Sequence, residues 1–400
     1  MARVKAKVEP ATLAQTMNAD GDRRAQMLSV ASRFSGWRPA KEVLRKVRAV
    51  PTIFPYFDLV TKVGGLPIER PTLIHGPSNH GKTEFCLGLG KSFLDRGHFF
   101  ALIDAEHATP ERWLRQLGID MNHPGFHAKR PLTYEDAVAA LEAWATAIGE
   151  ARIKGEIPED TTGVCVIDSI GKLCPESLMK EMEVAFAADM EEAKLKGKKG
   201  IDGAGGRAGQ ILAARNNAWM RRIVPLAGHT GVSVVIITRE NENTDANLYA
   251  EEFTVVGGKA INYDASLTIR ILRSGYIGQG EGATREVYGE RHKAILRKTK
   301  VARKEDRQPV AYFNSSNGML DGVPAGFDTV RDYFETAIEI GLIEQPSKGR
   351  YEFGKVKLGH GEHNVVKRLY AEPALYESIR LAVRDGIAKI IAAEPGESDD

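Results

Sequence analysis

The string GPSNHGKT at residues 76–83 constrains this chain more than any other feature. It fits the pattern GxxxxGK[ST] and lies between an apolar run, TLIH (72–75), and a helical pattern, TEFCLGLGKSFL (83–94). A glycine-bounded turn between strand and helix aims backbone amides and the positive end of a helix dipole at one point, which is what a phosphate needs. Gly76 and Gly81 let the backbone curl, with Pro77, Ser78, Asn79 and His80 between them. Lys82 then reaches the β- and γ-phosphates, Thr83 offers a hydroxyl to Mg²⁺, and Glu84 continues the first helical turn. The loop therefore implies a site for a nucleoside triphosphate with Mg²⁺.

The surrounding pattern sets the fold class. HFFALID (98–104), GVCVIDS (163–169) and SVVIIT (233–238) are continuous apolar runs separated by helical stretches. Runs without alternation suit strands buried on both faces, hence an α/β core with a mainly parallel sheet flanked by helices. SLTIRI (266–271), KAILRKTKV (293–301) and PVAYFN (309–314) lack long helices between them and read as antiparallel additions. Four hundred residues exceed one ordinary domain, so smaller attachments are expected at both ends. The first is a helical arm (1–53), with Met27, Leu28, Val30, Ala31 and Phe34 spaced for one face; it is read either as an oligomerisation arm or as a helix packed on the core. The core spans 54–323, a small α/β domain 324–392, and an acidic tail 393–400.

Other classes are excluded or weakened by composition. No apolar run suits a signal peptide or a membrane span, which places the chain in the cytoplasm by default. Cys86, Cys165 and Cys174 lack metal or disulfide spacing and read as reduced, buried filler. A net charge of +2 says little about nucleic acid, but basic clusters stand at 194–200, 221–222 and 297–304. Two glycine-rich polar regions, about 172–209 and 239–258, are long enough to be functional loops.

Hydrolysis asks for two carboxylates. Asp168 ends the run VCVID, where a Walker B residue would hold the metal with Thr83, although an apolar run ending in Asp is also a common capping device. Glu106, just past the run ending at Asp104, is the candidate base for an attacking water; Asp104 and His107 are alternatives in the same group.

Read in order, these residues resemble the bacterial RecA recombinases and their phage relatives. The resemblance is carried by GGLPIERPTLIHGPSNHGKT (64–83), IDAEHA (103–108), VIDS (166–169), VVGGKAINYDASLTIRI (255–271) and the Lys298 and Lys300 pair. It runs from about residue 50 to the end and includes GFDTVRDYFETAIEIGLIEQPSKGRYEFG (326–354), which is similar to the small terminal domain of that family. It implies subunits that polymerise on single-stranded DNA, bind ATP between neighbours and pair the strand with a homologous duplex. It also implies Glu106 as catalytic glutamate, and Lys298 and Lys300 as cations reaching the next protomer's ATP. Without the family pattern those lysines read as a basic strand edge.

The two polar regions fall where the family keeps its DNA loops, making Lys198, Lys199 and Arg207 in the first, and Gly257, Gly258 and Lys259 in the second, DNA-binding candidates. Arg215 and Arg221, on the helix QILAARNNAWMRRI (210–223), join them. Two departures stand out. The family's γ-phosphate-sensing glutamine falls at Arg239, and Trp113 stands as the adenine-flanking aromatic beside Pro110 instead of an acid. The long first loop and Arg239 suggest a phage or mobile-element version. A DNA-binding filament scaffold without strand exchange and a ring-forming motor are the competing classes; the lysine pair and the terminal domain disfavour the ring. The acidic tail is either a regulator that competes with DNA or a solubilising end.

Overall fold

The chain enters its main unit through a two-residue ribbon, β1 (Ala49–Val50) against β2 (Leu66–Pro67), with α1 (Pro55–Val60) between them. In the computed structural model, residues 23, 24, 26–31, 33, 46–180, 204–242, 253–280, 285–302 and 308–393 are described, 204–209 and 242 by their backbone alone. Residues 1–46 form a unit of their own, in which 26–31 are helical and Met27 and Leu28 are each 72% exposed. Phe34, Lys198, Lys199 and the acidic tail past residue 393 lie outside the described residues.

Residues 47–400 are built on one large sheet. β3 (Pro71–His75) leads into α2 (Lys82–Leu94), followed by β4 (Phe99–Asp104), α3 (Glu111–Gln116), β5 (Phe126–Lys129), α4 (Tyr134–Ile153) and β6 (Gly163–Asp168). Then come α5 (Ala204–Thr230), β7 (Ser233–Ile237), the short strands β8 (Glu240–Glu242) and β9 (Phe253–Val255), and α6 (Lys259–Asp264). Three long antiparallel strands follow, β10 (Leu267–Gln279), β11 (Glu286–Thr299) and β12 (Val310–Ser316), and β13 (Gly326–Phe327) closes the edge. Among the described residues the sheet order is β13-β12-β11-β10-β3-β7-β6-β4-β5, parallel from β10 to β5.

The unbroken apolar runs are explained by two cores. Ile74, Phe100, Leu102, Val164, Val166, Val235 and Ile237 face α2 and its neighbours, whereas Leu73, Ala101, Ile103, Cys165, Ile167, Val234 and Ile236 face α4 and α5. Strand side chains alternate, so burial on both sides requires an apolar residue at every position. The fold class is thus the one expected, with the antiparallel extension where the late runs lacked helices between them.

Several boundaries differ. β5, an edge strand of four residues in which Phe126 and Ala128 alternate with His127 and Lys129, carried no apolar run to reveal it. β10 and β11 extend well beyond SLTIRI and KAILRKTKV because their outer ends pair with each other past the core. The helix α5 begins at Ala204, inside the glycine-rich region read as loop; lengthening an existing helix is cheap compared with nucleating one, so anchored apolar turns downstream tolerate AGGRAG. The second polar region opens and closes with paired strands, Glu240 opposite Val255 and Glu242 opposite Phe253. Cys86 and Cys165 are buried free thiols, while Cys174 is only half-buried. Among the described residues no helix is long and apolar enough to cross a membrane.

The carboxyl-terminal part packs α7 (Thr329–Glu339), the sheet β14 (Ile343–Ser347), β15 (Arg350–Phe353) and β16 (Val356–His360), α8 (Glu362–Ala371) and α9 (Pro373–Ala392) around a third core that includes Phe334, Tyr351, Val366 and Ile379. It is tied to α1 by apolar contact with Leu59 and by Asp58, whose carboxyl is pushed by burial up to about 7 against the pull of Arg384 and Thr52. The Asp58 carboxylate, 1% exposed, accepts from the Thr52 amide at 2.8 Å, the Thr52 hydroxyl at 2.7 Å and Arg384 Nη1 at 2.7 Å, while Arg384 also donates to the Thr52 carbonyl. Removing the cation leaves a buried carboxylate without its counter-charge. Arg384→Ala is therefore expected to lower stability by about 3–5 kcal/mol, read as an earlier urea midpoint; an unchanged midpoint would mean that the tie carries no weight.

Candidate active site

The phosphate loop is shaped by backbone angles that side chains resist. Gly76 sits at φ +149, where a Cβ would run into the carbonyl of Ile271. Gly81, at φ +89, is the N-cap of α2, and a Cβ there would lie 2.7 Å from His292 Nδ1. No side chain among the described residues caps α2, so its first amides face the loop. Two strands support the turn from beneath: the Arg273 amide on β10 donates to His80 Nδ1 at 3.2 Å, Arg273 Nη2 donates to the Asn79 carbonyl at 2.5 Å, and His292 on β11 meets the His80 carbonyl at 3.1 Å.

Around this loop the strand ends deliver the chemistry. A cleft of about 330 Å³ is lined by Ser78, Asn79, Gly81, Lys82, Thr83, Glu84, Glu106, Trp113, Asp168 and Arg239 among others. Thr83 Oγ1 donates to Asp168 Oδ2 at 2.6 Å, joining the first turn of α2 to the end of β6. Burial, with Glu106 and Asp104 nearby, pushes Asp168 up to about 6 against the pull of the Thr83 hydroxyl. A hydroxyl and a carboxylate are oxygen donors of the kind Mg²⁺ takes, and that ion fills its remaining positions with water and phosphate oxygens. Among the described residues no group of three or more His, Cys, Asp or Glu is placed to hold a metal ion. Lys82 Nζ donates to the Pro77 carbonyl at 2.6 Å, and burial pushes its pKa down despite Asp168 and Glu106.

Glu106 lies in the same cleft. Its Oε1 accepts from Ser169 Oγ at 2.8 Å and from Arg239 Nη2 at 3.2 Å, and the Asp168–Ser169 peptide is cis. The two alternatives sit elsewhere. Asp104 is spent on structure, accepting from the Ala108 amide at 3.1 Å and from Arg130 Nε at 3.3 Å, while His107 is exposed and outside the cleft lining.

Arg239 links the cleft to the second polar region. The Thr238 hydroxyl donates to the Val256 carbonyl at 2.6 Å, and the Val256 amide to the Arg239 carbonyl at 3.0 Å, so Arg239 sits at the root of the β8–β9 ribbon. Its neighbour Glu240 is clamped by His75 Nδ1 at 2.9 Å and by Arg270 through Nε at 3.0 Å and Nη2 at 2.7 Å. Burial would raise the Glu240 pKa, but these bonds and the Arg270 charge outweigh it and bring it down to about 2. Arg270 in turn covers the Phe253 ring at 3.8 Å.

His75, Glu240, Arg270, Arg273 and His292 were not singled out from sequence. His292 had a signal: it continues the buried alternation of Ala294 and Leu296 one step outward, so it had to point inward. Beside it, burial and the Glu290 carboxylate push Glu84 up to about 7.

The remaining candidates stand apart from the cleft. Lys298 Nζ donates to the carbonyls of Asn262 at 2.5 Å and Tyr263 at 2.6 Å, and Lys300 Nζ to Tyr263 at 2.8 Å, so both cap the carboxyl end of α6. Burial and the Lys300 charge bring Lys298 down to about 8. The α6 helix begins after Gly257 and Gly258; the Gly257 carbonyl accepts from Asn216 Nδ2 on α5 at 2.7 Å, and Lys259 is exposed. Arg215 and Arg221 are exposed on α5, six residues and so about 120° apart around the helix. Arg207 lies on the same helix, its side chain outside the described residues.

Comparison with known proteins finds relatives over most of the chain. The profile of the family described as the RecA N-terminal domain matches residues 38–313. Protein RecA of Chlorobaculum parvum is 28% identical over 339 residues, covering 85% of this chain and 83% of its own length. Protein RecA of Thermus aquaticus is 24% identical over 356 residues, covering 89% of this chain and 90% of its own.

The Glu240 clamp makes a pH-dependent prediction. A carboxylate held at about 2, below its ordinary 4.5, contributes stability that is present above 4.5 and lost as pH falls through 2. The gap in thermal midpoint between the natural protein and Glu240→Gln should stay constant above about pH 5 and narrow steadily below it. A gap independent of pH would show that the clamp does not act through charge.

Proposed function

The chain belongs to the RecA family, and on that premise we propose that it is an ATP-driven recombinase that polymerises on single-stranded DNA and pairs it with a homologous duplex. The observation that carries this reading is the cleft in which Thr83 and Asp168 meet at 2.6 Å while Lys82 and Glu106 open onto the same space.

In this reading ATP lies with its phosphates along residues 76–83, and Lys82 exchanges the Pro77 carbonyl for the β- and γ-phosphates. Thr83 and Asp168 hold Mg²⁺, which when bound offsets phosphate charge. Glu106 takes a proton from the attacking water; Ser169 and Arg239 both engage Oε1, so Oε2 is the oxygen assigned to that water. Arg239 can trade Glu106 for the γ-phosphate, the stronger anion, and so report nucleotide state to the ribbon it begins. Trp113 supplies an aromatic face for the base.

Assembly completes the site. Lys298 and Lys300 of one protomer reach the next protomer's phosphates as trans cations. DNA is held by the two loop regions, through Lys198, Lys199 and Arg207 in the first and Gly257, Gly258 and Lys259 in the second, with Arg215 and Arg221 beside them. The arm, cut back to residues 1–46 because 47–53 belong to the main unit, joins protomers, and 324–392 forms the small terminal domain, whose core around Phe334 and Val366 also takes in Leu320 and Val323.

The test is ATP hydrolysis with and without single-stranded DNA, with electron microscopy of the same samples. Stimulation by DNA together with helical filaments is expected; the absence of both would overturn the recombinase reading, and filaments without turnover would indicate a scaffold. Lys82→Ala should abolish turnover. Lys298→Ala should slow the DNA-stimulated rate by roughly a thousandfold, the low end for a trans cation. Turnover by dilute, unassembled protomers at the full assembled rate would overturn the trans assignment.

A further inference from the structure

The cleft has a wall that the phosphate chemistry leaves unused. His292 on β11 is 1% exposed and stacks on Phe313 with ring centroids 4.9 Å apart. Its Nδ1 lies 3.1 Å from the His80 carbonyl, an oxygen that can only accept, so Nδ1 carries the proton. Burial, the largest influence on this ring, pushes its pKa down and keeps it neutral. Nε2 is therefore a bare lone pair, and no donor among the described residues reaches it. Two carboxyl groups stand near it: Glu290 Oε2 at 3.6 Å, itself ion-paired with Arg273 Nε at 3.3 Å, and Glu84 Oε2 at 4.0 Å.

A buried acceptor with no donor is costly, and this one lies in the lining of the nucleotide cleft. The same cleft is polarised. Lys82 and Arg239 bring cations to the lining, set beside Asp168 and Glu106, while Glu84 and Glu290 stand around His292 with no cation among the described residues but Arg273 shown against them. A phosphate is repelled by the second set and drawn to the first. What suits the acceptors is a neutral group that donates.

We propose that His292, flanked by Glu84 and Glu290, is the subsite for the nucleoside part of the nucleotide, where Nε2 accepts a hydrogen bond from a ribose hydroxyl or from an exocyclic amino group of the base. This rests on the phosphate-loop reading above and adds the determinant of nucleotide choice. The tautomer imposed by the phosphate loop itself, through the His80 carbonyl, makes the subsite discriminate: the same turn that holds the phosphates orients the lone pair that reads the nucleoside.

The test measures equilibrium binding by calorimetry on the full chain with Mg²⁺, using ATP, 2′-deoxy-ATP, inosine triphosphate and inorganic tripolyphosphate. In His292→Phe, which keeps the stack on Phe313 but loses both the Nδ1–H to the His80 carbonyl and the Nε2 acceptor, ATP should lose about tenfold more affinity than tripolyphosphate does, since the lost support of the loop weakens both alike. The analogue lacking the donor that is read should bind the natural protein about tenfold more weakly than ATP: deoxy-ATP if the ribose is read, inosine triphosphate if the base is. His292→Gln, whose amide oxygen can accept, should recover part of the loss. Equal binding of ATP and both analogues by the natural protein overturns the proposal whether or not the variants fold, as does a parallel loss of ATP and tripolyphosphate in His292→Phe. If the natural protein binds no tripolyphosphate and no nucleotide, the phosphate-loop reading itself fails.

Discussion

The hydrogen bond between Thr83 and Asp168 is the contact on which the rest of the site depends. It spans 85 residues of chain and crosses from the helix after β3 to the end of β6, two strands that are not neighbours, because β7 lies between them. Only a parallel order that brings the carboxyl ends of β3, β7, β6 and β4 to one edge allows it. Each of those ends then delivers one part: the loop after His75, Arg239 after Thr238, Asp168 with Ser169, and Glu106 after Asp104.

That geometry places charges of both signs where water is scarce. Asp168 is held above the usual carboxylate range and Lys82 below the usual ammonium range, each chiefly by burial. Both shifts resist ionisation, and both are relieved by a partner of opposite charge. In the proposed reading both partners arrive together, as a phosphate ligand with its divalent cation. The ribbon begun by Arg239 and Glu240 shares in this balance, since one residue touches Glu106 and the next is fixed to Arg270 and His75.

What could be read in advance follows from locality. The phosphate loop, the runs VCVID and FFALID and the late antiparallel strands are written in consecutive residues, and the structure places them as such. Glu106, Asp168, Trp113 and Arg239 share a cleft, which no spacing along the chain displays. His292, Arg273 and Glu240 stayed hidden because their roles are set by partners between 165 and 212 residues away. The start of α5 at Ala204 was hidden for the opposite reason: glycine content is a local signal, and a helix anchored downstream overrides it.

The sheet order also dictates when the molecule can become itself. β3 is the first strand of the central sheet to be synthesised, yet its two neighbours, β7 and β10, both come later. The register that seats Leu73 beside Thr268 closes a loop of about 200 residues. At roughly 5–20 residues per second a ribosome needs about 10–40 seconds to make that stretch. Throughout that interval the strand that carries the phosphate loop has an open edge, so a nascent chain holds its most informative sequence long before it holds a nucleotide site.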